Sequence, residues 1–148
     1  MPRATWLQQQ FLRLTRSAIT LGAKTLGERG ERAAAHYLKR LGYQVVFTRH
    51  RHRFGEVDII AIDHRTVVFV EVKTRRAAAL GRPAEAVDAT RQQRFTRAAL
   101  AFLKSHGLLE YASRFDVVEV LWPKDQKRPE IQHLPNAFAA AGQGQLFS

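Results

Sequence analysis

The strongest constraint on this chain is a pair of apolar, β-rich runs, residues 56–62 and 67–73, separated only by Asp63-His-Arg-Thr66. Runs of that length and composition joined by so short a connection read as the two strands of a hairpin. Four ionisable side chains, Glu56, Asp58, Glu71 and Lys73, are set into them, and charges seldom enter apolar strands without a partner or a task. A turn centred on His64 and Arg65 places Asp58 directly across from Glu71 and Glu56 across from Lys73. Glu71 and Lys73 then share a face, because strand side chains repeat every two residues. Glu56 with Lys73 reads either as an ordinary cross-strand ion pair or as part of a site. Asp58 with Glu71 has no such simple reading. Two carboxylates that close repel, so one takes a proton at raised pKa, a cation sits between them, or both splay into solvent at a sheet edge.

The chain contains no cysteine, which excludes disulfides, thiol nucleophiles, Cys-ligated zinc and iron–sulfur clusters. Oxygen donors alone suit a hard ion, Mg²⁺ or Mn²⁺, of the kind that keeps several waters and bridges to phosphate oxygens. Glu31 falls on the same helical stripe as Ala34 and Leu38. It is either a first-turn acid that complements the helix dipole or a third carboxylate reaching the same metal. Lys73 would then neutralise a phosphate or hold the attacking water.

The charge balance points the same way. Lys and Arg number 24 against 13 Asp and Glu, a net charge of +11, which favours association with polyanions. Arg49, Arg51 and Arg53 alternate with His50 and His52 just before Gly55-Glu-Val-Asp58, while Arg75, Arg76 and Arg82 follow Lys73. Basic residues on both flanks of an acidic site would guide a phosphate backbone to it; the plain alternative is a solvated charged face. Two histidines within a run of arginines are a poor cation site, since the arginines repel the metal. Aliphatic runs are strand-sized and well short of a bilayer span, so no membrane partner is expected and the cytoplasm is the default compartment.

Along the chain, residues 1–25 form a basic extension, in which Trp6, Leu7, Phe11 and Leu14 could line one face of an amphipathic helix. Residues 26–138 form the domain, and 139–148 a flexible tail. Thr25 and Glu28 have the capping-box spacing, which predicts a helix over 26–41, stopped by Gly42. A strand at 43–48, a solvated basic link at 49–53, the hairpin, a helix over 84–105, a strand at 115–122 and a short strand at 130–134 complete the order. That order predicts an α/β sandwich around a mixed sheet.

The order of a helix bearing Glu31, a strand bearing Asp58, then Glu71-Val-Lys73 resembles the PD-(D/E)XK nuclease superfamily. More closely, Gly27-Glu-Arg-Gly-Glu31, Gly42-Tyr43, Arg53-Phe-Gly-Glu-Val-Asp-Ile-Ile-Ala61, Val68-Phe-Val-Glu-Val-Lys-Thr-Arg75, Arg114-Phe-Asp-Val-Val118 and Asn136-Ala-Phe138 resemble the bacterial YraN-like family, over residues 26–138. Each motif is weak alone; in order and at matching spacing they are specific. The chain departs from the superfamily pattern in having Val57-Asp58 where Pro-Asp would stand. The resemblance implies a restriction-endonuclease-like fold, metal ligation by Asp58, Glu71 and the Val72 carbonyl, Lys73 as catalytic lysine, and Glu31 as a helix-borne acid. It also implies a polar residue on the following helix, for which Gln92 is the candidate and Gln93 the next. Resolvases of this fold work as symmetric dimers, so a homodimer is a further expectation. In the tail, Gln143, Leu146 and Phe147 resemble the short peptide that docks bacterial repair proteins on the DNA sliding clamp.

These expectations converge on a metal-dependent nuclease hydrolysing phosphodiester bonds in DNA or branched nucleic acid, as in repair and recombination. The alternative is a nucleic-acid-binding accessory protein of the same fold that cleaves nothing, because function resides in a site and not in a fold.

Overall fold

The computed structural model describes residues 25–52, 55–77 and 89–140. The N-terminal extension up to Lys24 and the clamp-like peptide with Gln143, Leu146 and Phe147 lie outside the described residues. The first helix, α1 (Leu26–Arg40), starts where the capping pattern places it, with the Glu28 N–H donating to Thr25 Oγ1 at 3.1 Å. It ends in a left-handed turn at Gly42, φ +94°, where the N–H groups of Gly42 and Tyr43 reach back to the carbonyls of Lys39 and Leu38. A residue with a Cβ is strained in that conformation, which is why glycine stops the helix here.

Five strands follow, β1 (Gln44–His52), β2 (Gly55–Asp63), β3 (Thr66–Arg75), β4 (Ser113–Leu121) and β5 (Glu130–Phe138), with a second helix, α2 (Ala89–Ser105), between β3 and β4. They lie side by side in chain order. The β3–β4 pair is parallel and the other neighbours antiparallel, so the connection holding α2 must cross over the sheet. Ala34, Ala35 and Leu38 of α1 pack on Ile59, Ala61, Val68, Val70, Val118 and Val120. On the opposite face Phe95, Ala98, Phe102 and Leu103 of α2 pack on Ile60, Ile62, Val67, Phe69 and Phe115. A mixed sheet with a helix on each face is the α/β sandwich that the order of elements predicts, and it agrees with the restriction-endonuclease-like fold that the resemblance implies.

Two local expectations are corrected. Residues 49–52 are not a solvated link: β1 continues through them, because β2 offers His50, Arg51 and His52 the ladder partners Val57, Glu56 and Gly55. The last strand is also longer than 130–134 and runs to Phe138, which pairs with Phe115 and stacks on its ring at 4.9 Å. A shift of register between Phe115 and Val117 absorbs Pro135 and Asn136, and such an irregularity is where a strand tolerates proline.

The packing of α1 on β3 is tight at one point. A Cβ added at Gly30 would stand 1.8 Å from Thr74 Oγ1 and 2.7 Å from Thr74 Cβ. Gly30→Ala is therefore expected to destabilise the protein by about 1–3 kcal/mol, read as a lower urea midpoint with an unchanged slope. Trimming Thr74 to Ala should restore only part of the loss, since the remaining Cβ is itself too close.

Candidate functional site

The hairpin has the register that a turn at His64–Arg65 requires, with Asp63, Ile62, Ala61, Ile60 and Ile59 opposite Thr66, Val67, Val68, Phe69 and Val70. The ladder ends at Ile59–Val70, one step before the carboxylates. Asp58 and Glu71 are therefore not a ladder pair. Glu56 does not pair with Lys73 either: it stands opposite Arg51 on β1, and Lys73 stands opposite Glu119 on β4.

The physical reason lies in β1 as much as in β2. Arg49 has φ +54°, a left-handed conformation that costs a non-glycine residue about 1–2 kcal/mol. The β1–β2 ladder passes from Thr48–Ile59 to His50–Val57 and omits Arg49 with Asp58. Beyond this kink the faces of β2 exchange, so Val57 joins Ile60 and Ile62 on the α2 side while Ile59 and Ala61 face α1. The Arg49 side chain ties the kink to α1, with Nε on Glu31 Oε2 at 2.7 Å and Nη2 on Glu28 Oε1 at 3.3 Å. Past the end of the β2–β3 ladder, the N–H of Val72 donates to Asp58 Oδ2 at 2.8 Å. A carboxylate thus takes a backbone donor where the neighbouring strand has turned away.

On β3, Val68, Val70 and Val72 pack towards α1, and Val67 and Phe69 towards α2. Alternation carries Glu71 and Lys73 to the α2 side. Glu71 is 1% exposed, and the guanidinium of Arg91, in the first turn of α2, stands against its Oε1. That contact is an ion pair without hydrogen-bond geometry, so the buried Oε1 accepts no hydrogen bond. Burial, then the charge of Glu71, push Asp58 up to about 7 against the opposing pull of the Val72 N–H. Burial also raises Glu71, with Arg91 and Lys73 working against it. Lys73 is lowered, mainly by burial, with Arg91 adding to the effect and Glu71 opposing it. Glu31 adds a smaller repulsion to both acids.

Asp58, Glu71 and Lys73 are thus drawn into one electrostatic cluster at the parted end of β2 and β3. Glu31 borders it but is engaged by Arg49. Gln92 is half-buried in the first turns of α2 beside Arg91, and Gln93 is exposed. Arg75 and Arg76 lie at the end of β3, where Arg76 Nη1 reaches the carbonyl of Trp122 at 3.5 Å and Arg29 lies over the Trp122 ring at 4.2 Å. Arg53, Arg82 and the Arg51 side chain lie outside the described residues. Among the described residues no three His, Asp or Glu side chains form a ready-made metal cage, and no helix is long and apolar enough to cross a membrane. A magnesium-like ion does not need such a cage, being commonly bound through one or two carboxylates with waters and phosphate.

Sequence reasoning missed Arg91, because its partner Glu71 lies on a distant strand. It also missed a second polar centre. Asp116, fully buried on β4, accepts from Arg114 Nε at 3.0 Å and from the Asn136 N–H at 2.9 Å, and lies 2.8 Å from His133 Nε2. Arg114 in turn reaches Asp63 at 3.0 Å and the Tyr43 hydroxyl at 2.7 Å. The signal there was Arg114 and Asp116 on either side of Phe115 in a strand rich in valine.

Fold and site together define an α/β sandwich with a half-buried aspartate, a buried glutamate and a lysine at the opened end of its central hairpin. The chain belongs to the uncharacterised protein family UPF0102, also called the YraN family, whose model matches residues 30–120. It is 48% identical over 120 residues to UPF0102 protein RB9115 of Rhodopirellula baltica, covering 79% of this chain and 72% of that one. A UPF0102 protein of Alkaliphilus metalliredigens is 45% identical over 116 residues, covering 78% and 99% of the two chains. UPF0102 protein GSU0650 of Geobacter sulfurreducens is 48% identical over 118 residues, covering 80% and 91%.

Proposed function

We propose that this protein is a metal-dependent nuclease that hydrolyses phosphodiester bonds in DNA, branched DNA included. The observation that carries the reading is the pair of half-buried Asp58 and buried Glu71, raised together in pKa, with Lys73 two residues further along β3. A carboxylate pair in that state favours a cation beside it. The donor set fits a hard divalent cation: its side-chain donors are oxygens, and the buried Glu71 Oε1 accepts no hydrogen bond. Asp58, Glu71 and the Val72 carbonyl would hold Mg²⁺ or Mn²⁺. Bound there, such an ion supplies Lewis-acid stabilisation of charge developing on a phosphoryl oxygen.

The remaining roles fall to the protein's own groups. Burial lowers the Lys73 pKa, and its Nζ would hold or relay the proton of an attacking water. Gln92, beside Arg91 on α2, would orient that water or the phosphate. Glu31 acts through Arg49, holding the kink that keeps Asp58 at the opened edge. Arg75, Arg76 and Arg29 supply basic surface at the end of β3 for the phosphate backbone.

A second reading is favoured by the Arg91 guanidinium, which already neutralises Glu71 without a metal: a nucleic-acid-binding protein of this fold that does not cleave. The two are separated by incubating labelled single strand, duplex, flap and four-way junction with Mg²⁺ or Mn²⁺ at fixed moderate salt. Cleavage by the wild type that disappears in EDTA and in Glu71→Gln is expected. Retained binding with no cut under either metal would overturn the nuclease reading in favour of the second.

A further inference from the structure

Arg91 reaches from α2 across to the sheet. None of the described residues of its helix, Ala89–Ser105, is an acid. Its side chain is 55% exposed, whereas the Glu71 side chain it meets is 2% exposed. One partner of the pair is therefore buried in the sheet, and the other comes from the surface of a helix. The contact falls on Glu71 Oε1, which has Arg91 as its ion-pair partner and accepts no hydrogen bond.

We propose that Arg91 is a built-in counterion that occupies Glu71 in the absence of metal and competes with a divalent cation for it, setting the metal affinity of the site. The inference rests on the nuclease reading only in taking Asp58 and Glu71 as the place where a cation binds. The metal-free protein is spared an uncompensated buried carboxylate, which is costly, and a cation entering the site must first displace the guanidinium. A site whose competent form is populated one-tenth of the time binds about tenfold more weakly than its intrinsic affinity. Removing the competitor should recover that factor.

The experiment is Mn²⁺ binding to the full-length protein without nucleic acid, by calorimetry and by the paramagnetic signal of free Mn²⁺. Wild type is compared with Arg91→Ala and with Arg97→Ala, which removes the same charge from an exposed position on the same helix. Arg91→Ala is expected to bind about tenfold more tightly, with Arg97→Ala within about twofold of wild type. Arg91→Ala should also melt lower than wild type in EDTA and gain more from Mn²⁺. Arg91→Gln, which keeps a polar chain over Glu71, should bind in the same order and serves if the alanine variant does not fold. Equal affinity in the Arg91 and Arg97 variants would overturn the proposal and leave a fixed structural ion pair; weaker binding in Arg91→Ala would overturn it by making Arg91 part of the metal site. If wild type and Arg91→Ala both fail to bind Mn²⁺ in an Asp58-dependent way, the site is not a metal centre and the nuclease reading falls first.

Discussion

Asp58→Asn is expected to make the protein more stable at pH 8 while lowering metal-dependent cleavage by at least about 10²–10³-fold, the range seen when one pre-organised electrostatic group is removed from an active site. The stability gain follows from the raised pKa. Burial and the charge of Glu71 push the Asp58 pKa up to about 7 in the folded protein, against about 4 for an exposed aspartate. The folded state therefore binds more protons than the unfolded state between about pH 4 and 7. Stability contributed by this group falls as pH rises through that window and is flat above it, with a maximal slope of about 1.4 kcal/mol per pH unit. Asparagine carries no charge to bury and can still accept the Val72 N–H. In EDTA at pH 8 the variant should exceed wild type by about 2–4 kcal/mol, and at pH 4 the two should converge. Urea melts at the two pH values read this directly. A wild type at least as stable as the variant at pH 8 would mean that Asp58 is not held against its charge. A gain in stability bought with lost activity is the mark of a group retained for chemistry.

Asp116→Ala should have the opposite character, a loss of about 3–5 kcal/mol in folding free energy, as when one member of a buried charged pair is removed. Burial alone would raise this carboxyl, but hydrogen bonds from His133, Arg114 and the Asn136 N–H outweigh it and hold the pKa below the usual range. Its oxygens join β4 to the irregular part of β5, and through Arg114 to Asp63 at the end of β2 and Tyr43 at the start of β1. Truncation leaves Arg114 half-compensated and the Asn136 N–H without its acceptor. Because the folded pKa is depressed, the contribution of Asp116 is present above the unfolded pKa of about 4 and fades as pH falls through the folded value. The gap between wild type and Asp116→Ala in urea melts should thus be full at pH 7 and shrink in strong acid. A loss under about 1 kcal/mol at pH 7 would show that the cluster is solvated and replaceable.

The two aspartates illustrate how differently one residue type is treated within a single sheet. Asp58 is half-buried beside another carboxylate and is driven towards neutrality; Asp116 is buried among donors and is driven towards ionisation. The local sequence of each is similar, an acid between apolar β-formers. What separates them is which strand stands alongside, and whether that strand brings donors or turns away.

The sequence by itself determined the elements whose causes are local. Thr25, Glu28 and Gly42 bound α1 through capping and a left-handed stop, and the short His64–Arg65 connection fixed the hairpin register from Ile59–Val70 to Asp63–Thr66. It also singled out Asp58, Glu71 and Lys73, because charges inside apolar strands are conspicuous without any coordinates. Only the tertiary structure decided the rest. The kink at Arg49 depends on Glu28 and Glu31 from α1, and it changes which way β2 faces beyond Ile59, so alternation counted along the strand fails there. The pairing of Glu71 with Arg91 joins a strand to a helix across a crossover, and the Asp116 cluster gathers groups from three strands and the start of β1. Such partners are chosen by packing between distant segments, and a linear pattern of polar and apolar residues does not encode which distant charge will meet which.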